Sequence, residues 1–179
     1  MKLMALWICV AGLSAQGLET RVPVVFSGGH ETNPVDHGRP VVLVAAGLNV
    51  PPEVFREAFS HVKPAPAGQE PKPGQVDLNK QALLHALGKY GVTNALLDRV
   101  SDYYRYNGRD GELWRHTPAE AYAAWKDGKV TGIVLTRAGA GYTSAPQVTV
   151  GGKPVAVVIQ LAFSQELSRN GSIASIALQ

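Results

Sequence analysis

The stretch DGKVTGIVLTRAGAGYTSAPQVTV, residues 127–150, decides the fold class of this chain. Apolar and polar residues alternate in its first half, and β-branched side chains are frequent, which is typical of a half-buried strand. Asp127-Gly128 is a dipeptide typical of a two-residue hairpin turn. The alternation begins near residue 112, so the pattern predicts an antiparallel β region over residues 111–179.

A weak internal repeat supports this prediction. The segment GKVTGIVLT at 128–136 aligns with GSIASIALQ at 171–179, and Asn170-Gly171 supplies a second turn dipeptide. The repeat predicts two related β-hairpins in one sheet.

Residues 122–125 are interpreted as the strand that enters the first hairpin turn. The competing interpretation is a short helix, because Thr117 and Glu120 have the spacing of a capping box. The sequence leaves both open for residues 119–125.

Residues 18–110 are predicted to be mainly helical. In VVLVAAGLNVPPEVFREAFSHV, residues 41–62, the apolar side chains after Pro52 recur at helical spacing. A proline at position 51 or 52 suits a first helical turn, and Asn49 tolerates the left-handed conformation found at helix ends. This segment therefore predicts a helical hairpin with its turn at 48–50.

A second helical hairpin is predicted after a proline-rich loop at 63–75. Asp77 is expected to cap its first helix, Gly91 to end that helix and Thr93 to cap the next one. The fold class predicted from these elements is α+β, with two N-terminal helical hairpins followed by a small antiparallel sheet of β-hairpins.

Arg21 to Phe26 is expected to be extended. Pro23 lacks the backbone N–H that a strand in the middle of a sheet donates, so the sequence places this segment at a sheet edge or outside a sheet.

Residues 1–17 are interpreted as a secretory signal peptide. Lys2 precedes an unbroken apolar run from Leu3 to Leu13, which is shorter than the roughly 20 residues needed to span a bilayer. The small residues Ser14, Ala15 and Gly17 follow, and cleavage is expected after Gly17, with Ala15 as the alternative. The sequence thus predicts export to the periplasm, the cell surface or the medium, with no transmembrane segment in the mature chain.

The charge pattern argues against a nucleic-acid partner. The formal net charge is +3, and lysine and arginine are spread along the chain without a basic stripe. The stretch 45–59 has the spacing of a DNA-binding helix-turn-helix, but its second helix would present Glu53 and Glu57 with Arg56 to a polyanion. We expect that hairpin to serve packing.

The loop SGGHETNPVDHGRP, residues 27–40, is the candidate metal site. His30, Glu31, Asp36 and His37 could supply nitrogen and oxygen ligands to zinc or another divalent ion if the loop folds back on itself. The same residues also suit an ordered loop with no metal, which is the favoured interpretation, and no other cofactor is expected.

The densest aromatic and cationic stretch is the candidate ligand site. Aromatic rings beside arginine suit stacking on sugars or planar ligands, and the alternative is that the tyrosines and the tryptophan enter the core. The predicted ligand-binding residues are Tyr103, Tyr104, Arg105, Tyr106, Arg109, Trp114 and His116.

Residues 128–150, with the motif GAGYTSAP, resemble a G-x-G-Y-T-S-A-P repeat of exported bacterial surface proteins and phage-fibre-like proteins. The mature chain is also similar to uncharacterised exported bacterial proteins with a GGHET loop. The resemblance implies a structural or adhesive β module in which Tyr142 and Pro146 shape the loop, and it implies no catalytic residue. Ala138 and Ala140 depart from the repeat, and the second hairpin lacks the GYTSAP loop.

Two functions follow as hypotheses. The favoured one is an exported, non-enzymatic binding or interaction module whose partner is an envelope or extracellular ligand, such as a glycan or a protein. The alternative is a small metal-dependent hydrolase built on His30, Glu31, Asp36 and His37, with Arg39 as an anion contact.

Overall fold

The computed structural model of the chain describes residues 20–63, 72–107 and 110–179. Within these ranges the chain forms four α-helices and mostly antiparallel β-structure, which confirms the predicted α+β class. The predicted signal peptide at 1–17, most of the proline-rich loop and Arg109 lie outside the described residues.

In the described part of the chain, seven strands build two sheets. The five-stranded sheet has the order β3-β2-β1-β4-β5, and β6 pairs with β7 in a separate two-stranded sheet. The strands are β1 (Thr20–Ser27), β2 (Glu120–Lys126), β3 (Lys129–Arg137), β4 (Gln147–Val150), β5 (Lys153–Pro154), β6 (Val157–Ala162) and β7 (Ser172–Leu178).

Strand β1 lies at the centre of the larger sheet, so the prediction that Pro23 confines it to an edge is wrong. Residues 20–23 pair with β2, and residues 24–27 pair with β4 on the other side. Pro23 is the last residue of the first ladder, so its missing N–H falls where β1 changes partner.

The strand interpretation of residues 122–125 is confirmed, and the competing helix is wrong. Strand β2 pairs with β3 through a tight turn in which Asp127 and Gly128 both have positive φ, 50° and 79°. Both residue types tolerate this conformation, as a two-residue hairpin turn of this kind requires.

The second hairpin differs from the prediction. Strands β6 and β7 pair with each other, but the connection between them runs from 163 to 171, so Asn170-Gly171 is not a two-residue turn. The two hairpins also belong to different sheets rather than one. Val157, Ile159 and Ile176 of the two-stranded sheet pack with Val24 and Val148 of the larger sheet in a shared apolar core.

The helices are α1 (Val41–Gly47), α2 (Pro52–Ser60), α3 (Gln75–Leu87) and α4 (Asn94–Tyr103). Asn49 has φ of 57° in the α1–α2 turn, and the Thr93 side chain accepts a hydrogen bond from the Leu96 N–H at the start of α4, as the sequence predicts. Asp77 does not cap α3, which already begins at Gln75 after a left-handed Gly74.

Helix α1 packs on α2 and on α4, and α2 packs on α3. These contacts form one helical cluster around a shared core that includes Leu43, Phe55, Leu87 and Val100, and they do not confirm an arrangement as two hairpins. None of the helices in the described ranges combines the length and apolar character needed to cross a membrane.

Asn170 joins the helical cluster to the β-structure. Its side chain is fully buried, and its amide nitrogen donates to the Leu43 carbonyl at 2.8 Å and to the Tyr104 hydroxyl at 2.9 Å. Its amide oxygen accepts from the Ser164 N–H at 3.1 Å, and its carbonyl accepts from the Gly141 N–H at 2.8 Å. One residue of the β6–β7 connection thus contacts α1, the end of α4 and the GYTSAP loop.

Replacing Asn170 by alanine should lower the free energy of unfolding by about 2–4 kcal/mol, because it leaves buried donors and acceptors without partners. Urea unfolding followed by circular dichroism measures this loss. The matched control is Asn79→Ala, which removes solvent-accessible hydrogen bonds to Lys63 and should cost less than about 1 kcal/mol. Equal losses in the two variants would show that Asn170 does not anchor the helices.

Candidate functional site

Two loops that are far apart in the sequence fold against each other. The backbone N–H groups of Thr143 and Ser144 donate to the Gly29 carbonyl at 2.9 and 3.2 Å, and the Thr143 hydroxyl donates to the Glu31 carbonyl at 2.8 Å. The GGHET loop at 28–32 is therefore held by the GYTSAP loop at 141–146.

The Glu31 carboxylate is part of this attachment. It accepts a hydrogen bond from the Ser144 hydroxyl, whose oxygen in turn accepts from the Glu31 N–H at 3.3 Å. The bond from Ser144 is the main reason why the pKa of Glu31 is lowered. Glu31 is thus an ionised residue that ties the two loops together.

Gly29 allows the two loops to approach closely. Its φ is 84°, and a Cβ atom at this position would lie 2.6 Å from the Tyr142 ring. Both the backbone conformation and the space therefore require glycine.

His30 lies in a box of three aromatic side chains. Its ring stacks on Tyr142 at 5.4 Å between centroids and meets His116 edge-on at 4.7 Å and Trp114 edge-on at 5.9 Å. Burial, followed by the neighbouring His116, lowers the pKa of His30 against the opposing effects of Glu31 and a backbone hydrogen bond at Gly28. The ring is therefore neutral at pH 7.

The Nε2 atom of His30 is buried and has no hydrogen-bond partner in the described part of the chain.

Trp114 links the aromatic box to a cavity. Its side chain is buried, its indole N–H donates to the Gly141 carbonyl at 2.8 Å, and its ring meets Tyr106 edge-on at 5.7 Å. The Tyr106 hydroxyl donates to the Gly38 carbonyl at 2.8 Å. Tyr106 and Trp114 therefore fix one wall of the cavity beside the loop that carries His30.

The cavity has a volume of about 940 Å³ and lies between the helical cluster and the segments 30–41, 104–107 and 111–114. Its apolar lining combines aliphatic and aromatic side chains, namely Pro40, Val41, Val44, Phe55, Phe59, Leu83, Leu97, Tyr104, Tyr106, Leu113 and Trp114. The polar lining is smaller and consists of His30, Thr32, His37, Arg39, Ser101, Arg105, Asn107 and Glu112.

The four predicted metal ligands do not come together. The buried Asp36 carboxylate accepts two hydrogen bonds from Arg56 at 2.7 and 2.9 Å, and Glu31 is bound to Ser144. His30 and His37 both reach the cavity, but His37 is exposed. Among residues 20–63, 72–107 and 110–179, no group of three histidine, cysteine or acidic side chains could hold a metal ion.

The predicted ligand residues divide between the cavity and its surroundings. Tyr104, Arg105, Tyr106 and Trp114 line the cavity. Tyr104 is buried, and burial raises the pKa of its hydroxyl to about 12 despite the hydrogen bond from Asn170.

The other members of that predicted set take different positions. The Tyr103 ring lies under the Arg115 guanidinium at 4.6 Å, and exposed His116 faces His30. Arg109 lies outside the described residues.

The sequence does not predict several residues of the site. Val44, Phe59 and Leu83 lie on three different helices, and their apolar character predicts a helix core as readily as a cavity wall. Ser144 was interpreted only as part of a loop motif, and its pairing with Glu31 spans more than a hundred residues. No local pattern predicts such a contact.

No family model matches the chain, and no curated protein or solved structure is significantly similar to it. The resemblance of residues 128–150 to a surface-protein repeat therefore stays a prediction.

The half-buried, neutral His30 predicts a loss of stability in mild acid. Below about pH 6.5 the unfolded chain binds a proton at this position that the folded chain does not, so the free energy of unfolding falls as the pH falls. The His30→Phe variant keeps a ring but cannot titrate. Its melting temperature should therefore decrease less between pH 7.5 and 5.5 than that of the unmodified protein.

Differential scanning fluorimetry at several pH values measures this effect. The matched control is His37→Asn, since His37 is exposed and asparagine tolerates its φ of 50°. If His30→Phe and the unmodified protein lose the same number of degrees, His30 does not cause the acid sensitivity.

Proposed function

We propose that the protein is an exported, non-enzymatic binding protein that holds a small molecule in the cavity of its helical cluster. Export rests on the signal-peptide pattern of residues 1–17. The binding function rests on one observation, the cavity of about 940 Å³. Its volume falls within the range of about 300–1,000 Å³ that is typical of ligand sites.

The composition of the lining supports this function. Ligand sites combine a mostly apolar wall with a few polar groups that orient the ligand, and this cavity has both. Phe59 and Tyr106 offer aromatic surface at a low cost in side-chain entropy, because aromatic side chains have few rotatable bonds.

The position of the cavity also supports binding. Asn170 donates a hydrogen bond to the Tyr104 hydroxyl. The GYTSAP loop, which is paired with the GGHET loop, accepts a hydrogen bond from the Trp114 indole through its Gly141 carbonyl. A site with walls fixed in this way loses little conformational freedom when a ligand enters, which favours affinity.

The cavity predicts that the purified protein binds N-phenyl-1-naphthylamine, a neutral probe that fluoresces in apolar surroundings. We expect saturable binding with one site per chain. In the Val44→Phe variant the added ring should occupy part of the cavity and raise Kd by about tenfold, which corresponds to about 1.4 kcal/mol of binding free energy. Fluorescence titration measures both constants.

The matched control is Val25→Phe, which adds the same ring at an exposed position of strand β1 outside the cavity lining. It should leave Kd unchanged. Probe fluorescence that does not saturate, or equal Kd values for Val44→Phe and the unmodified protein, would contradict a binding site at this cavity.

A further inference from the structure

We propose that the ligand of this cavity is an amphiphilic monocarboxylate, an aliphatic chain that ends in one carboxylate, and that Arg39 binds the carboxylate. This inference rests on the proposed binding function and specifies the chemical class of its ligand.

Arg39 is a cation of the cavity lining without a carboxylate partner in the described ranges. Its neighbour Asp36 directs both carboxylate oxygens to Arg56, at 2.7 and 2.9 Å. Arg39 reaches only the Asp36 backbone carbonyl, to which one terminal nitrogen donates at 3.2 Å. The other donors of its guanidinium therefore remain available to a ligand.

The Arg39 side chain is positioned by the Phe59 ring. Its guanidinium carbon lies over the Phe59 ring at 4.8 Å from the centroid, and Phe59 lines the same cavity. Burial raises the pKa of the Tyr106 hydroxyl, while the charge of Arg39 opposes this shift, so the cation also acts on the other cavity wall. A guanidinium held in this way presents a planar fork that matches a carboxylate.

The surrounding charges favour a single negative charge on the ligand. Arg105 also lines the cavity, but Asp102 accepts a hydrogen bond from it at 2.6 Å. The Glu112 carboxylate is part of the lining and accepts from the Asn107 N–H at 3.1 Å. Because the same lining carries the Glu112 carboxylate, it repels a dianionic phosphate more strongly than a monoanion, so one unpaired cation suits a single negative charge.

The remaining lining suits an aliphatic chain. Val41, Val44, Leu83 and Leu97 provide branched aliphatic walls, and a flexible chain adapts to an irregular space between helices. Each methylene group that enters this space should strengthen binding by about fourfold.

Displacement of N-phenyl-1-naphthylamine by dodecanoate and by dodecanol tests the inference. Both have the same chain, and they differ in the charge of the head group. We expect dodecanoate to bind about tenfold more tightly than dodecanol at pH 7.5, as for a charge-assisted hydrogen bond. Decanoate should bind more weakly than dodecanoate, and octanoate more weakly than decanoate.

Variants assign this preference to Arg39. In Arg39→Gln the ratio of the dodecanol Kd to the dodecanoate Kd should fall by about tenfold, and Arg39→Lys should restore part of it. The control Arg137→Gln removes an exposed arginine that pairs with Glu120 at 2.6 Å on the β-sheet, outside the cavity lining, and should keep the ratio.

The outcomes separate the two proposals. Binding of the probe and of both compounds with equal affinity would retain the binding function and overturn the carboxylate inference. Retention of the dodecanoate preference in Arg39→Gln would also overturn it. Absence of binding for the probe, dodecanol and dodecanoate would overturn the binding function itself.

Discussion

The hydrogen bonds of Asn170 are the constraint on which the rest of the structure depends. An amide without contact with water must find partners for both its nitrogen and its oxygen, because an unpaired buried polar group is costly. Asn170 finds them on α1, at the end of α4 and within its own loop. Apolar packing is tolerant of small shifts, whereas these bonds fix the distance and orientation between the helices and the strands.

The cavity follows from this arrangement. Tyr104 lines the cavity, and its hydroxyl accepts a hydrogen bond from Asn170. Trp114 also lines the cavity, and its indole N–H donates to the Gly141 carbonyl. Gly141 in turn is bound to the Asn170 carbonyl. Polar anchors rather than complete apolar contact therefore set the positions of Tyr104 and Trp114 in the cavity wall.

The elements that the sequence predicts well are those decided by neighbouring residues. The Thr93 cap, the left-handed Asn49 and the Asp127-Gly128 turn each depend on a few adjacent positions. Asn170-Gly171 carries the same local signal as a hairpin turn, but its burial against α1 and α4 overrides it. The residue types in the 27–40 loop predict metal ligands, but two of these residues bind partners outside the loop. Glu31 accepts a hydrogen bond from Ser144, and Asp36 accepts one from Arg56. The cavity could not be predicted because its walls come from segments that are distant in sequence.

The change of partner along β1 has a consequence for the order in which the chain folds. Residues 20–23 need β2 and residues 24–27 need β4, and both partners lie about a hundred residues later in the chain. A polypeptide that emerges from a ribosome or a translocation channel with its N-terminus first therefore leaves β1 unpaired until most of the sequence has followed. During that interval the unpaired backbone groups and the valines of β1 can associate with other chains. We therefore expect assembly of this sheet to be slow and to depend on protein concentration.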